Sequence, residues 1–105
     1  MEIILHAHHA NVSESLKRRT EAALRRIASR MHRVANAIVR FIGDGPTRRV
    51  EIVLHGTGSR SLFAQADAAH FAPALTIAMH RLESQIGRVR SRRLRQYHKF
   101  GDRDG

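Results

Sequence analysis

The 105-residue chain contains no cysteine. Disulfides, thiolate zinc sites and cysteine nucleophiles are thereby excluded, and the absence fits a reducing cytosol and a cytoplasmic location. Long apolar runs are also missing: nothing approaches the ~18 to 20 residues that a membrane span needs. The opening Met1-Glu2-Ile3-Ile4-Leu5-His6 has no basic leader, so no export signal and no membrane partner are expected. A chain this short holds one core and no deep catalytic cavity, which leaves little room for a small-molecule substrate. Acids are few: nine of them stand singly as Glu2, Glu14, Glu21, Asp44, Glu51, Asp67, Glu83, Asp102 and Asp104. Their spacing suggests no carboxylate pair for acid–base chemistry. Gly-x-Ser-x-Gly elbows, Walker loops and Gly-x-Gly-x-x-Gly fingerprints are absent, and Gly56-Thr57-Gly58 reads as a turn. No enzyme activity and no cofactor are expected.

What the chain does have is a regular alternation of patterns. Glu2-Ile3-Ile4-Leu5-His6-Ala7 is short, apolar and β-branched enough for a strand over residues 2–7. Ser13 then suits an N-cap, and Leu16, Ala23, Leu24, Ile27, Met31 and Val34 recur at helical spacing, predicting a first helix that continues through the last of them. Ala37, Val39 and Phe41 alternate up to Ile42, where Gly43-Asp44-Gly45-Pro46 supplies turn residues. Val50, Ile52 and Leu54 form a third strand, and Leu62 to Ala66 a fourth, giving a meander. A long helix follows, with Leu75, Met79, Leu82, Ile86 and Val89 on one stripe, starting within about three residues before Pro73, which a first turn tolerates. Phe41, Phe63 and Phe71 are expected in the core. The order β-α-β-β-β-α is that of an α+β sandwich: a four-stranded sheet with two helices packed on one face, and polar cover on the other. One domain is expected over residues 1–100, with 101–105 as a polar C-terminal tail.

The strongest signal is charge. Nineteen basic residues, seventeen of them Arg, give a net +10, and the planar guanidinium fork binds phosphate in two places at once. The bases cluster on the helices: Lys17, Arg18, Arg19, Arg25, Arg26, Arg30 and Arg33 on the first, then Arg88, Arg90, Arg92, Arg93, Arg95 and Lys99 at the end of the second. A charge run is usually a solvated helix face, but such faces mix in acids for pairing, and residues 84–100 contain none. Uncompensated repulsion of this kind points to a polyanion, read through phosphate and shape because aromatic platforms are scarce. Tyr97 and Phe100, set in the basic end, are the better stacking candidates. His6, His8 and His9 invite a metal reading, but no cysteine or acid lies near and no helical His pair occurs, so they are read as surface histidines and no metal is expected.

The whole pattern resembles the hibernation-promoting factor and ribosome-associated inhibitor family. Ile3-Ile4-Leu5-His6-Ala7-His8-His9-Ala10-Asn11-Val12-Ser13-Glu14-Ser15-Leu16 is similar to that family's opening strand, polar pair and helix start. Ala64-Gln65-Ala66-Asp67 looks like its last strand, and Arg81-Leu82-Glu83-Ser84-Gln85-Ile86-Gly87-Arg88-Val89-Arg90-Ser91-Arg92 like its basic helix end. The resemblance spans residues 1 to about 96 and rests on order and spacing. It implies a cytoplasmic protein of the stress response, bound to rRNA of the small ribosomal subunit at the decoding region through both helices. There it would inhibit translation by denying access to mRNA and tRNA. Lys17, Arg26 and Arg33, with Arg81, Arg88, Arg90 and Arg92, match basic family positions; Arg25, Arg93 and Arg95 are added on physical grounds.

The chain departs from the family at His70-Phe71-Ala72-Pro73-Ala74-Leu75-Thr76, where an acidic, Met-Tyr-containing helix start is usual. Arg19 and Thr20 stand where apolar residues are common, and Ser84 where Arg is. The short C-terminus resembles the short form, in which any pairing of ribosomes needs a separate factor. The alternative reading is a general double-stranded RNA or nucleic-acid binding module, which also places helices over a sheet.

Overall fold

The computed structural model describes residues 1–31, 34–56 and 61–103, with side chains through Arg88. Its elements are β1 (Glu2–His8), α1 (Glu14–Ala28), β2 (Val34–Asp44), β3 (Thr47–Gly56), β4 (Ser61–Ala68) and α2 (Phe71–Arg103). The sheet order is β1-β2-β3-β4, with β1 parallel to β2 and the other neighbours antiparallel. The expected α+β architecture is therefore present, and the strand order, which composition does not encode, follows the chain.

Period-two alternation decides which way each strand faces. Ala37, Val39 and Phe41 of β2, Val50, Ile52 and Leu54 of β3, and Ala64 and Ala66 of β4 all point to one side and are buried. Leu24 and Ile27 of α1 join them there, together with Ala74, Leu75, Ala78, Met79, Leu82 and Ile86 of α2, in one cluster. Small residues on both sides of the α2–β4 contact, Ala64 and Ala66 against Ala74 and Ala78, allow close approach. Phe71 packs its edge on Phe41, with ring centroids 5.5 Å apart. The β2–β3 hairpin closes through Gly45 at φ 56, the left-handed residue its two-residue loop requires.

α1 begins as its sequence predicts: Ser13 Oγ accepts the Leu16 amide at 3.1 Å, and the Ser13 carbonyl accepts the Lys17 amide. It ends earlier. The expected continuation through Met31 and Val34 fails because the chain leaves the helix after Ala28, and Val34 is drawn into β2 opposite Gly56. The helical spacing of those two residues is coincidental; pairing with β3 overrides it. Thr20, which stands where an apolar side chain was expected, is fully buried and donates its hydroxyl to the Leu16 carbonyl at 2.7 Å, so the polar atom is satisfied within the helix.

One further expectation changes. Phe63 is not core: it lies on the outward side of β4 and is 47% exposed, because the inward positions of that strand are Ala64 and Ala66. The outward sheet face is accordingly not simply polar. α2 runs to Arg103.

Candidate nucleic-acid interface

Both helices lie on the same side of the sheet, so their outward faces form one surface. Helical periodicity places Thr20, Leu24 and Ile27 inward, and it turns Arg18 and Arg25 outward and Arg19, Arg26 and Arg30 toward α2. Along α2, Leu75, Met79, Leu82 and Ile86 are inward, leaving Arg81 and Arg88 exposed on the flank above β4. Counting α1, the turn after it and α2 through Arg88, the helix layer carries Lys17, Arg18, Arg19, Arg25, Arg26, Arg30, Arg81 and Arg88 against Glu14, Glu21 and Glu83.

A groove runs between the helices. Leu75 and Met79 line its depth, and Arg19, Arg26, His80 and Glu83 its edges. Arg19 spans it, donating to Thr76 Oγ1 at 3.3 Å. Glu83 faces Arg26 and Arg30 at 3.9 and 3.7 Å, too long for hydrogen bonds. These are loose surface pairs of little stabilising worth, and a phosphate can compete for either guanidinium. Arg25 and Arg26 also occupy the last turn of α1, where the helix carbonyl end favours cations.

The residues singled out in the sequence differ in what holds them. Arg25 and Arg26 project to solvent, the Arg26 side chain being 69% exposed. Lys17 is half-exposed and paired with Glu14 at 3.2 Å. Arg81 is tied down: it donates to the Gln65 carbonyl at 2.6 Å, and with the Gln85 amide on the Phe63 carbonyl it fastens α2 to the edge of β4. Arg88 makes only a long 3.5 Å contact to the Ser84 carbonyl in its own helix. Arg33 lies outside the described residues; Arg90, Arg92, Arg93 and Arg95 lie on the α2 backbone, with side chains outside the described set. Arg19 and Arg30 belong to the same basic face, outside the set singled out in the sequence. The signal available was their spacing, i to i+4 from Arg26 and seven residues from Arg19 to Arg26, which puts all three on the α2-facing side.

At ~1.5 Å per residue the 33-residue α2 is ~50 Å long, whereas the eight-residue β4 beneath it covers ~27 Å. The C-terminal half of α2 thus passes beyond the sheet, and the molecule measures 58 × 24 × 21 Å. Arg88 stands where that extension begins. No helix among the described residues is long and apolar enough to cross a membrane, and no group of three or more His or acidic side chains among them can hold a metal ion.

Comparison with known proteins agrees with this architecture. A ribosomal subunit interface protein from Coxiella burnetii superposes with a TM-score of 0.76 at 23% identity, covering 87% of this chain and 99% of the other. The N-terminal domain of Protein Y from Thermus thermophilus gives 0.71 at 22% identity, covering 85% and 99%. No protein of curated function matches the chain in sequence. At such identities the superpositions establish the fold alone. Residues 3–94, however, match the family described as sigma 54 modulation protein / S30EA ribosomal protein, and the chain belongs to that family.

Proposed function

We infer that the protein is a ribosome-binding translation inhibitor of the hibernation type. Its helix layer engages phosphates of small-subunit rRNA at the decoding region, and its bulk occupies space that mRNA and tRNA need. The observation that carries this reading is the gathering of the Arg side chains of two helices on one side of a sheet, in a chain whose family match runs through both helices. Arg25, Arg26 and Arg88 have the exposure for direct phosphate contact. Arg81 positions α2 and contributes its charge to the same flank. Family membership and the likeness to a ribosomal subunit interface protein support the ribosome as partner.

Co-sedimentation with intact ribosomes, separated subunits and excess duplex RNA at near-physiological salt tests the proposal. Saturation near one copy per small subunit that resists the duplex competitor is the expected result. Replacing Arg88 and Arg92 together by Ala should lower the salt slope of binding by roughly 1.5 to 2 and relieve inhibition in cell-free translation. Binding spread evenly over every RNA, or inhibition untouched by the double substitution, would reduce the protein to a general nucleic-acid binding module.

A further inference from the structure

The face of the sheet turned away from the helices is unlike the rest of the molecule. In register across all four strands runs an apolar row, Ile4–Ile38–Val53–Phe63. The row beside it reads His6–Arg40–Glu51–Gln65, and the next His8–Ile42–Arg49–Asp67. Over these rows and the row at Glu2, Arg40 and Arg49 stand against Glu2, Glu51 and Asp67, so the face is close to neutral in a chain of net +10. A polyanion gains little here. Two helix faces repel each other, whereas two sheet faces do not.

We propose that this face is a self-complementary interface through which two copies of the chain associate. A two-fold axis lying between the two sheets and parallel to the strands brings β1 of one copy over β4 of the other, and β2 over β3, with each row meeting itself reversed. Ile4 then faces Phe63 of the second copy, and Ile38 faces its Val53. In the next row Arg40 faces Glu51 of the second copy, twice by symmetry, and His8 comes over its Asp67. Arg40 and Glu51 are cross-strand neighbours within one chain, yet among the described residues neither is in an ion pair, which leaves both free for this contact. In the first two rows this arrangement sets apolar against apolar and Arg against Glu; in the third, His8 meets Asp67 while Ile42 comes over Arg49 of the second copy.

Three interstrand gaps of ~4.8 Å and three two-residue steps of ~6.7 Å, with side-chain margins, give roughly 400 to 500 Å² of facing surface per copy. Standard interfaces bury about 800 Å² per partner, so the dimer is of micromolar or weaker affinity and depends on concentration. Both helix layers remain outward in it, which makes it bivalent for phosphate.

Sedimentation equilibrium of the nuclease-treated full chain tests this. The average mass should climb with concentration from 11.9 kDa toward twice that value. Arg40→Glu and Glu51→Arg, each checked for an unchanged circular dichroism spectrum, should each weaken association about tenfold or more. An equimolar mixture of the two should recover it, because each like-charged contact becomes an opposite one, and so should the chain carrying both substitutions. A mass fixed at one copy throughout, an association constant indifferent to either substitution, or self-association that disappears with residual RNA would overturn the proposal.

Discussion

Arg49 and Asp67 face each other on neighbouring strands with a 2.8 Å hydrogen bond between them. That bond holds the Asp67 carboxyl below its ordinary 3.8, partial desolvation opposes the shift, and the charges of Arg49 and Arg81 add to it. Because the folded value lies below the unfolded one, the pair stabilises the fold above the ordinary carboxylate range and ceases to do so as pH falls through the folded value. Both side chains are substantially exposed, so the effect on stability is small. A carboxyl-carbon NMR titration should place the Asp67 midpoint below 3.8, and Arg49→Ala should return it to the ordinary range. Gly43 makes a sharper case at the same scale. A Cβ there would run into the carbonyl of His9, itself held at φ 53 in the link from β1 to α1. Gly43→Ala should cost about 1 to 3 kcal/mol in urea unfolding, and an unchanged midpoint would show that the link yields. The glycine was legible as a turn residue; that it gives way to a remote carbonyl was not, because the two meet only through parallel pairing of β1 with β2.

Among the elements, α1 shows what local chemistry decides and where it stops. Its start is set by Ser13, whose hydroxyl and carbonyl take up two amides of the first turn. Ser13→Ala should destabilise the fold by about 1 kcal/mol and speed hydrogen exchange at Leu16. Its end is not local: Met31 and Val34 continue the helical spacing, but β2 takes Val34, since the sheet edge supplies backbone partners that a frayed last turn lacks. α1 is fastened to the core by few side chains, Leu24 and Ile27 being its buried apolar residues. Leu24→Ala should therefore cost about 2 to 5 kcal/mol, read as a lowered denaturation midpoint. The start of α2 departs from the family in sequence without loss of the helix, because Pro73 sits in the first turn, where its missing amide has no intrahelical partner to lose. Its fastening by Arg81 and Gln85 to β4 carbonyls was not legible, because long polar side chains give no periodic signal and the acceptors belong to another element.

For the whole molecule the main feature is segregation of charge: an Arg-rich helix layer on one side and a nearly neutral sheet face on the other. Removing one charge from each side should have unequal effects on RNA affinity. Arg25→Gln should lower the salt slope by about 1, whereas Arg40→Gln should leave affinity within about twofold. Fluorescence titrations with a duplex RNA at several salt concentrations measure both, and equal effects would mean that the two faces do not divide the work.

Element order, the inward residues of β2 and β3, the α1 cap and the basic character of both helices are legible in the chain before it folds. Each of these is written in short-range periodicity, in a cap or in charge. Where α1 stops, that Phe63 faces outward, that Arg81 is tied to β4 while Arg25 projects to solvent, and that four residues of four strands line up as one apolar row all emerge only on folding. These depend on register between strands and on distances between elements remote in sequence. Period-two alternation says which residues share a face of one strand, but strand pairing alone says which residues of different strands stand side by side.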